Sequence, residues 1–427
     1  MELILPYGRG GLTAHLPDGR VAQVLQSGLD RYDAHRTPEQ LVEDALAAPV
    51  GSPGLAELAR GKKNVVLLAS DHTRPVPSKL IVPAMLRQVR QGAPDAQITV
   101  LIATGCHRGP TRAELEQKFG PELCAQLHIV AHDCASADLA DLGTLPSGAP
   151  LRVNRLAAQA DLLLAEGFIE PHFFAGFSGG RKSVLPGVCG AQTVYANHSA
   201  AMIASPYAHS GSLAHNPIHE DMVEGARRAG LRFILNVVCN AQKQVVGAFA
   251  GDFEQAHLAG AEFLAGLCRA EAKAPAPLVL TTNNGYPLDQ NIYQAVKSMS
   301  AAEIICPPGG VIIVAAECED GHGGEGFYRT FASGRGARQI LQDILAVPPE
   351  RTAPDQWQAQ IMARVLAEHT VILVSGQPPE LVRGMGLVPA ATVEEAVRLA
   401  DQILGREEPI TVIPDGIGTI PCLAAGA

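Results

Sequence analysis

The sequence predicts two α/β domains, the first built on a parallel sheet. Three observations lead there. Apolar runs at 65–70, 98–103 and 161–166 each end in a polar loop, as strands covered on both faces do. Helical patterns follow the first two runs, which is the strand–loop–helix alternation of a doubly wound, Rossmann-like sheet. An Ala/Pro-rich stretch at 271–277 then precedes a second pattern of the same kind, and 427 residues exceed one ordinary core. The expected division is 1–270, a hinge or linker at 271–277, and a C-terminal α/β domain at 278–427.

The elements follow in order. The first sixty residues read as a short β region and a linker-like helix. The strand at 65–70 runs into Asp71-His72-Thr73-Arg74-Pro75, and an amphipathic helix covers about 78–91. The strand at 98–103 runs into Thr104-Gly105-Cys106-His107-Arg108-Gly109, after which Thr111 and Glu114 make a capping box. The strand at 161–166 leads to the richest segment, 170–183, with His172, Phe173, Phe174, a Gly-Phe-Ser-Gly-Gly turn and Lys182. Ligands of open parallel sheets bind beyond the carboxyl ends of the strands, so loops 71–74, 104–109 and 170–183 are placed to converge. In the second domain, strands are expected at 278–282, 311–315 and 371–375, with a helix over 288–300. Thr392 and Glu395 cap a helix that ends near Leu404. No repeat of fixed period and no low-complexity tract appears.

Composition narrows the class. Hydrophobic residues at 47% and charged residues at 18% fit a compact enzyme. A formal charge of -10 argues against nucleic acid as the main partner, since phosphate contacts need a basic face. No apolar run is long enough for a membrane span, and the first residues lack a basic n-region. Nine scattered cysteines without a Cys-x-x-Cys pair suggest reduced thiols in a cytoplasm.

Several residues carry chemistry, each with a plainer alternative. His107 at a strand end suits a general acid/base, or a structural loop histidine. His172 has the same two readings, and Phe173 and Phe174 would dry its surroundings. Lys182 beside Gly179-Gly180 reads as an anion-binding cation, a Schiff-base nucleophile or a surface charge; the spacing is not a P-loop. Asp71 with Arg74 reads as a loop ion pair, and Arg74 also suits a carboxylate ligand. His198 has no second histidine at ligand spacing, so spacing alone argues against a metal there. His209, His215 and His219 match no zinc motif and read as a polar loop entering a helix. Residues 317–322 read as a solvated loop after a strand.

Taken together and in register, Asp71-His72-Thr73-Arg74-Pro75, Thr104-Gly105-Cys106-His107-Arg108, Pro171-His172, Gly176 to Lys182, Asn197-His198 and Tyr293-Gln294-Ala295-Val296-Lys297 resemble the nickel-pincer lactate racemase family. The resemblance spans nearly the whole chain. It implies a racemase or epimerase of 2-hydroxy acids, with the active site in the cleft between the domains. It implies a cofactor, a pyridinium-3-thioamide-5-thiocarboxylate mononucleotide that holds nickel through S, C and S, and maturation enzymes that make it. Lys182 matches the tethering lysine. His198 matches the protein ligand to nickel, the opposite of what spacing alone suggests. His107 and His172 match the paired acid/base histidines. They handle the hydroxyl proton while the C2 hydride passes to the cofactor and a planar 2-keto acid forms. Arg74 and Lys297 would hold the carboxylate, with Tyr293 and Gln294 nearby. Asp71 would order local hydrogen bonds at the cofactor, and Ser178, Gly179 and Gly180 would lie along the mononucleotide. Trp357, the single tryptophan, matches a pocket wall and reads equally as a core aromatic.

The expected function is thus racemisation of lactate or a larger 2-hydroxy acid. One rival is a dinucleotide-dependent oxidoreductase, weakened by the lack of Gly-x-Gly-x-x-Gly after an early strand. The other is a nickel or cofactor carrier without turnover. The absence of a Gly-x-Ser-x-Gly elbow speaks against a hydrolase.

Overall fold

A computed structural model describes residues 1–424. The chain divides into two compact units. One comprises residues 29–198 and 205–266; the other comprises residues 1–28, 199–204 and 267–427.

The first unit carries a six-stranded sheet. Its order is Val245–Gly251, Leu231–Cys239, Leu162–Phe168, Asn64–Ser70, Gln97–Ala103 and His128–Ala131. All neighbours run parallel except the edge strand Val245–Gly251. Parallel strands need both faces covered, and Leu162–Phe168 is buried along its full length. Helix Ser78–Gly92 supplies Ile81, Val82, Met85 and Val89 to the core on one face. The chain order turns back at Asn64–Ser70, with later strands added on either side. The switch point therefore lies between Asn64–Ser70 and Leu162–Phe168, above which ligand crevices form in such sheets.

The second unit carries an all-parallel sheet in the order Val388–Ala390, Thr370–Val374, Val311–Ala315, Leu278–Thr282, Ile410–Ile413 and Val21–Val24. Its core is aliphatic, with Leu280, Ile313, Ile372 and Val412 inaccessible. The capping predicted at Thr392 holds, since its side chain accepts from the Glu395 N–H at the start of helix Val393–Leu404.

Two boundaries differ from the sequence expectation. The first 28 residues group with the C-terminal unit, because Val21–Val24 pairs with Ile410–Ile413 and hairpin Glu2–Tyr7/Gly10–His15 packs on that core. Residues 271 and 272, expected at the head of a linker, end strand Arg269–Ala272, which pairs with Ile420–Leu423. No helix among the described residues is long and apolar enough to cross a membrane.

Candidate active site

Asp71 is the first residue beyond strand Asn64–Ser70, at the switch point, and is buried. Its Oδ1 accepts from the Thr73 hydroxyl at 2.6 Å and the Thr73 N–H at 3.0 Å. Its Oδ2 lies 2.7 Å from His107 Nδ1. Burial alone would raise this carboxyl. The bonds from His107 and Thr73 and the charges of His107 and Arg74 outweigh burial and hold it at about 2. The ion pair expected with Arg74 is therefore corrected: Asp71 is the partner of the half-exposed His107, and Arg74 donates to Thr73 Oγ1 at 3.3 Å. An ionised Asp71 fixes the proton of a neutral His107 on Nδ1 and puts the lone pair on Nε2.

Helix Arg112–Phe119 follows the His107 loop and starts with the predicted capping box at Thr111 and Glu114. Its Lys118 donates to Ser70 Oγ at 3.1 Å. Ser70 in turn donates through N–H and hydroxyl to Glu166 Oε1, at 2.8 and 2.9 Å, while Ser78 donates to Glu166 Oε2 at 3.0 Å. Burial lowers the Lys118 ammonium, opposed by the charges of Glu166 and Asp71. This network ties the His107 helix to both strands of the switch point. Sequence reasoning passed over Glu166. The signal was present, as a lone acid in Leu-Leu-Leu-Ala-Glu-Gly-Phe demands partners.

The second cluster gathers on Phe174. His172 meets Phe174 edge-on at 4.5 Å and stacks on Phe173 at 5.2 Å. His198 meets the Phe174 ring edge-on at 5.1 Å, and Lys182 Nζ lies 5.8 Å from its centroid. The Ala175 N–H donates to His172 Nδ1 at 3.3 Å, so a neutral His172 carries its proton on Nε2. His107 and His172 thus present opposite functions at Nε2, acceptor and donor.

His198 caps helix Ala191–Asn197 and is buried. Burial, then the charge of Lys182, pulls its imidazole down to about 3, against the bond to the Val194 carbonyl. Nδ1–H donates to that carbonyl at 3.0 Å, which orients the Nε2 lone pair as in metal-binding histidines. Lys182 is partly buried. Desolvation, then the charges of Arg181 and Arg74, drives its ammonium well below the ordinary lysine value, against Glu170. His198 is therefore held as a neutral nitrogen donor, and burial works against the charge of Lys182.

The glycine-rich turn does something other than expected. Ser178 Oγ donates to the Phe168 carbonyl at 3.0 Å and accepts the Glu170 N–H at 2.9 Å. The Gly180 N–H donates to Asn236 Oδ1 at 2.7 Å. These groups already have partners within the protein, in the loop itself and on strand Leu231–Cys239. Gly179 and Gly180 are glycines for packing. Their φ values are +79° and +53°, and a Cβ would stand 2.7 Å from Asn236 Oδ1 and 2.8 Å from the His257 ring, respectively.

Arg181 holds the turn together. Fully buried, it donates to the carbonyls of Ala175 and Phe177 at 2.8 Å and to His219 Nδ1 at 3.0 Å. The His257 Nε2–H donates to the Ser178 carbonyl at 2.8 Å beside it. Burial, then the Arg181 charge, draws His219 down to about 3. Of the three histidines read as a loop, His219 lies in helix Pro217–Arg228 and is buried, while His209 and His215 are exposed.

Tyr293, Gln294 and Lys297 lie in the other unit on helix Ile292–Ala302, capped by Asn291. Tyr293 and Lys297, four residues apart, share a face. Trp357 lies on helix Gln356–Glu368 and is partly buried. Among the described residues no group of three or more His, Cys, Asp or Glu side chains is arranged to hold a metal.

Comparison with known proteins decides the family. The lactate racemase N-terminal domain matches residues 7–211, and the lactate racemase C-terminal domain matches residues 271–421. The chain belongs to the lactate racemase family. Lactate racemase of Thermoanaerobacterium thermosaccharolyticum is 49% identical over 97% of this chain and 98% of its own. Lactate racemase of Lactiplantibacillus plantarum is 48% identical with the same coverage. The structure of the T. thermosaccharolyticum lactate racemase apoprotein superposes with a TM-score of 0.95 at 48% identity, covering 99% of this chain and all of that one. A Thermotoga maritima protein at 20% identity and TM-score 0.64, covering 92% of this chain and 99% of its own, shares the fold. As a family member the chain is an enzyme of the isomerase class, a racemase that takes a small-molecule substrate.

Proposed function

We propose that this protein interconverts the enantiomers of lactate, using a nickel-pincer nucleotide that is loaded by maturation enzymes. The observation that carries the reading is the gathering of His172, Lys182 and the neutral, buried His198 on Phe174, together with a His107 oriented by Asp71 so that its Nε2 function is opposite to that of His172. The residues suit the group. Lys182, whose ammonium burial disfavours, would be the amine that tethers the group, and His198 Nε2 would be a neutral donor to its nickel. When bound, the nucleotide supplies a ring carbon that takes up hydride from C2 and returns it.

The chain's own residues do the rest. Arg74 and Lys297 hold the substrate carboxylate, with Tyr293 and Gln294 beside it and Trp357 on the pocket wall. His107 takes the hydroxyl proton at Nε2, and Asp71 offsets the positive charge this leaves on the ring. The planar 2-keto acid turns over, and His172 returns a proton on the opposite face. Protons balance when His172 carries both ring protons while His107 is neutral, a state that gives up the Ala175 contact to Nδ1. Phe174, at 3% exposure, fills space beside His172 and keeps water from it. That filling favours lactate over acids with larger side chains.

The test is incubation of the loaded protein with single enantiomers of C2-deuterated lactate and longer 2-hydroxy acids. Scrambling of lactate with the deuterium kept at C2 is the expected result. Loss of the label to solvent, net oxidation that consumes a dinucleotide, or turnover that survives loss of both His107 and His172 would each overturn the reading.

A further inference from the structure

Asp355 stands at the N-cap of helix Gln356–Glu368, where an aspartate ordinarily accepts a hydrogen bond from the helix's own free N–H groups. It makes no such cap. Its backbone is left-handed, at φ +62° and ψ 3°, a conformation that few residues other than glycine adopt. The side chain is turned away from the helix, and Oδ1 accepts from the Tyr293 hydroxyl at 2.7 Å. The Trp357 indole donates to the same hydroxyl oxygen. Two residues after Asp355, the helix thus returns a donor to the phenol that Asp355 accepts from.

Tyr293 is held elsewhere as well. Gln358 Nε2 donates to its backbone carbonyl, and Phe327 meets its ring edge-on at 5.3 Å. Phe327 and Asp355 also line a cavity of about 320 Å³ with Ile340 and Ile344. Ring packing alone fixes the plane of Tyr293 less closely than hydrogen bonds fix its hydroxyl. The phenol's two hydrogen bonds set its position, and Asp355 is the acceptor that completes them. Backbone strain and a missing cap at one residue, with a gain only at Tyr293, mark a place where local stability is exchanged for geometry.

We propose that Asp355 is a positioning residue of the substrate site, fixing Tyr293 and Trp357 relative to each other through the Trp357–Tyr293–Asp355 hydrogen-bond chain. The inference rests on the reading that Tyr293 stands at the substrate. Its consequence is that substrate affinity depends on an acceptor at 355 more than on the charge there.

The chain's single tryptophan gives a readout that needs neither cofactor nor turnover. In the apoprotein, Asp355→Gly relieves the backbone and removes the acceptor, while Asp355→Asn keeps an acceptor and tolerates the left-handed backbone. Expected results are a shifted Trp357 emission in Asp355→Gly and in Tyr293→Phe, and wild-type emission in Asp355→Asn. In the loaded enzyme, Asp355→Gly should raise KM about three- to tenfold with kcat changed by less than about twofold, and Asp355→Asn should restore KM. Unchanged emission in Asp355→Gly overturns the proposal. So does a KM that rises in Tyr293→Phe but not in Asp355→Gly. If Tyr293→Phe leaves KM unchanged while emission shifts as expected, the substrate role of Tyr293 is what fails, and Asp355 is reduced to a structural latch.

Discussion

Replacing Asp71 with asparagine removes a charge and little else, which makes it a sharp probe of the proposed proton chemistry. The carboxyl is 2% exposed, and its pKa is lowered from 3.8 to about 2 although burial works in the other direction. At about 1.4 kcal/mol per pH unit, the ionised form is favoured by roughly 2 kcal/mol. His107 supplies the leading favourable contribution. Asparagine cannot offset an imidazolium, and its amide is able to donate to Nδ1 and so stabilise the tautomer with no lone pair on Nε2. A loss of roughly 2 kcal/mol corresponds to about thirtyfold in rate. The tautomer effect adds to it, so kcat in Asp71→Asn should fall by about thirtyfold or more, with KM within about threefold. The assay is racemisation of a single lactate enantiomer by loaded protein, normalised to nickel content. Stability gives an independent check. A carboxyl depressed in the folded state stabilises the fold above about pH 4, and that contribution is lost as pH falls towards about 2. Wild type should therefore lose up to roughly 2 kcal/mol more unfolding free energy than Asp71→Asn across that window. Turnover within twofold of wild type, with an unchanged acid limb, would refute the energetic coupling of Asp71 to His107.

Other perturbations separate the remaining roles. Lys182→Ala, produced alongside cofactor-maturation enzymes, should show no mass increment on the intact denatured chain, whereas wild type should carry one. His198→Ala should keep that increment yet bind far less nickel by elemental analysis. Gly180→Ala forces a side chain into positive φ against the His257 ring and should cost about 2 kcal/mol or more, read as a lower Tm of the apoprotein. Glu166→Leu strands the Ser70 and Ser78 donors and leaves Lys118 without its buried counter-charge. It should cost about 3–5 kcal/mol in urea unfolding, more than Lys118→Met, which removes the charge together with the need to pair it.

What was legible in the sequence divides by physical cause. Strand ends, the capping box at Thr111, the N-cap at Thr392 and the convergence of three loops depend on local periodicity and on one topological rule, and these survive in the structure. Edge strand Val21–Val24 was not legible as part of the C-terminal unit, because its partner lies almost 400 residues away and four residues carry no register. The Asp71–His107 pair failed for a similar reason. Arg74 was the nearer partner in sequence, yet the parallel register of Asn64–Ser70 with Gln97–Ala103 brings the two following loops side by side.

The glycine-rich turn shows a deeper limit. Flexible backbone donors for an anion and close packing against a neighbour both demand glycine, so Gly179 and Gly180 read the same either way. Only Asn236 and His257, more than fifty residues further on, show that packing is the reason. On the proposed reading, His198 is the converse case. Spacing rules look for donors within the chain, and a site whose donors come chiefly from a bound nucleotide leaves one histidine and no pattern. What identifies such a histidine physically is its state: buried, neutral, and oriented by a backbone carbonyl through the other ring nitrogen. Lys182 shows the same logic, since an ammonium disfavoured by burial and by Arg181 is costly for stability and useful for bond formation. In the proposed site His198 and Lys182 share a charge disfavoured by burial, and burial is a property that no stretch of sequence displays alone.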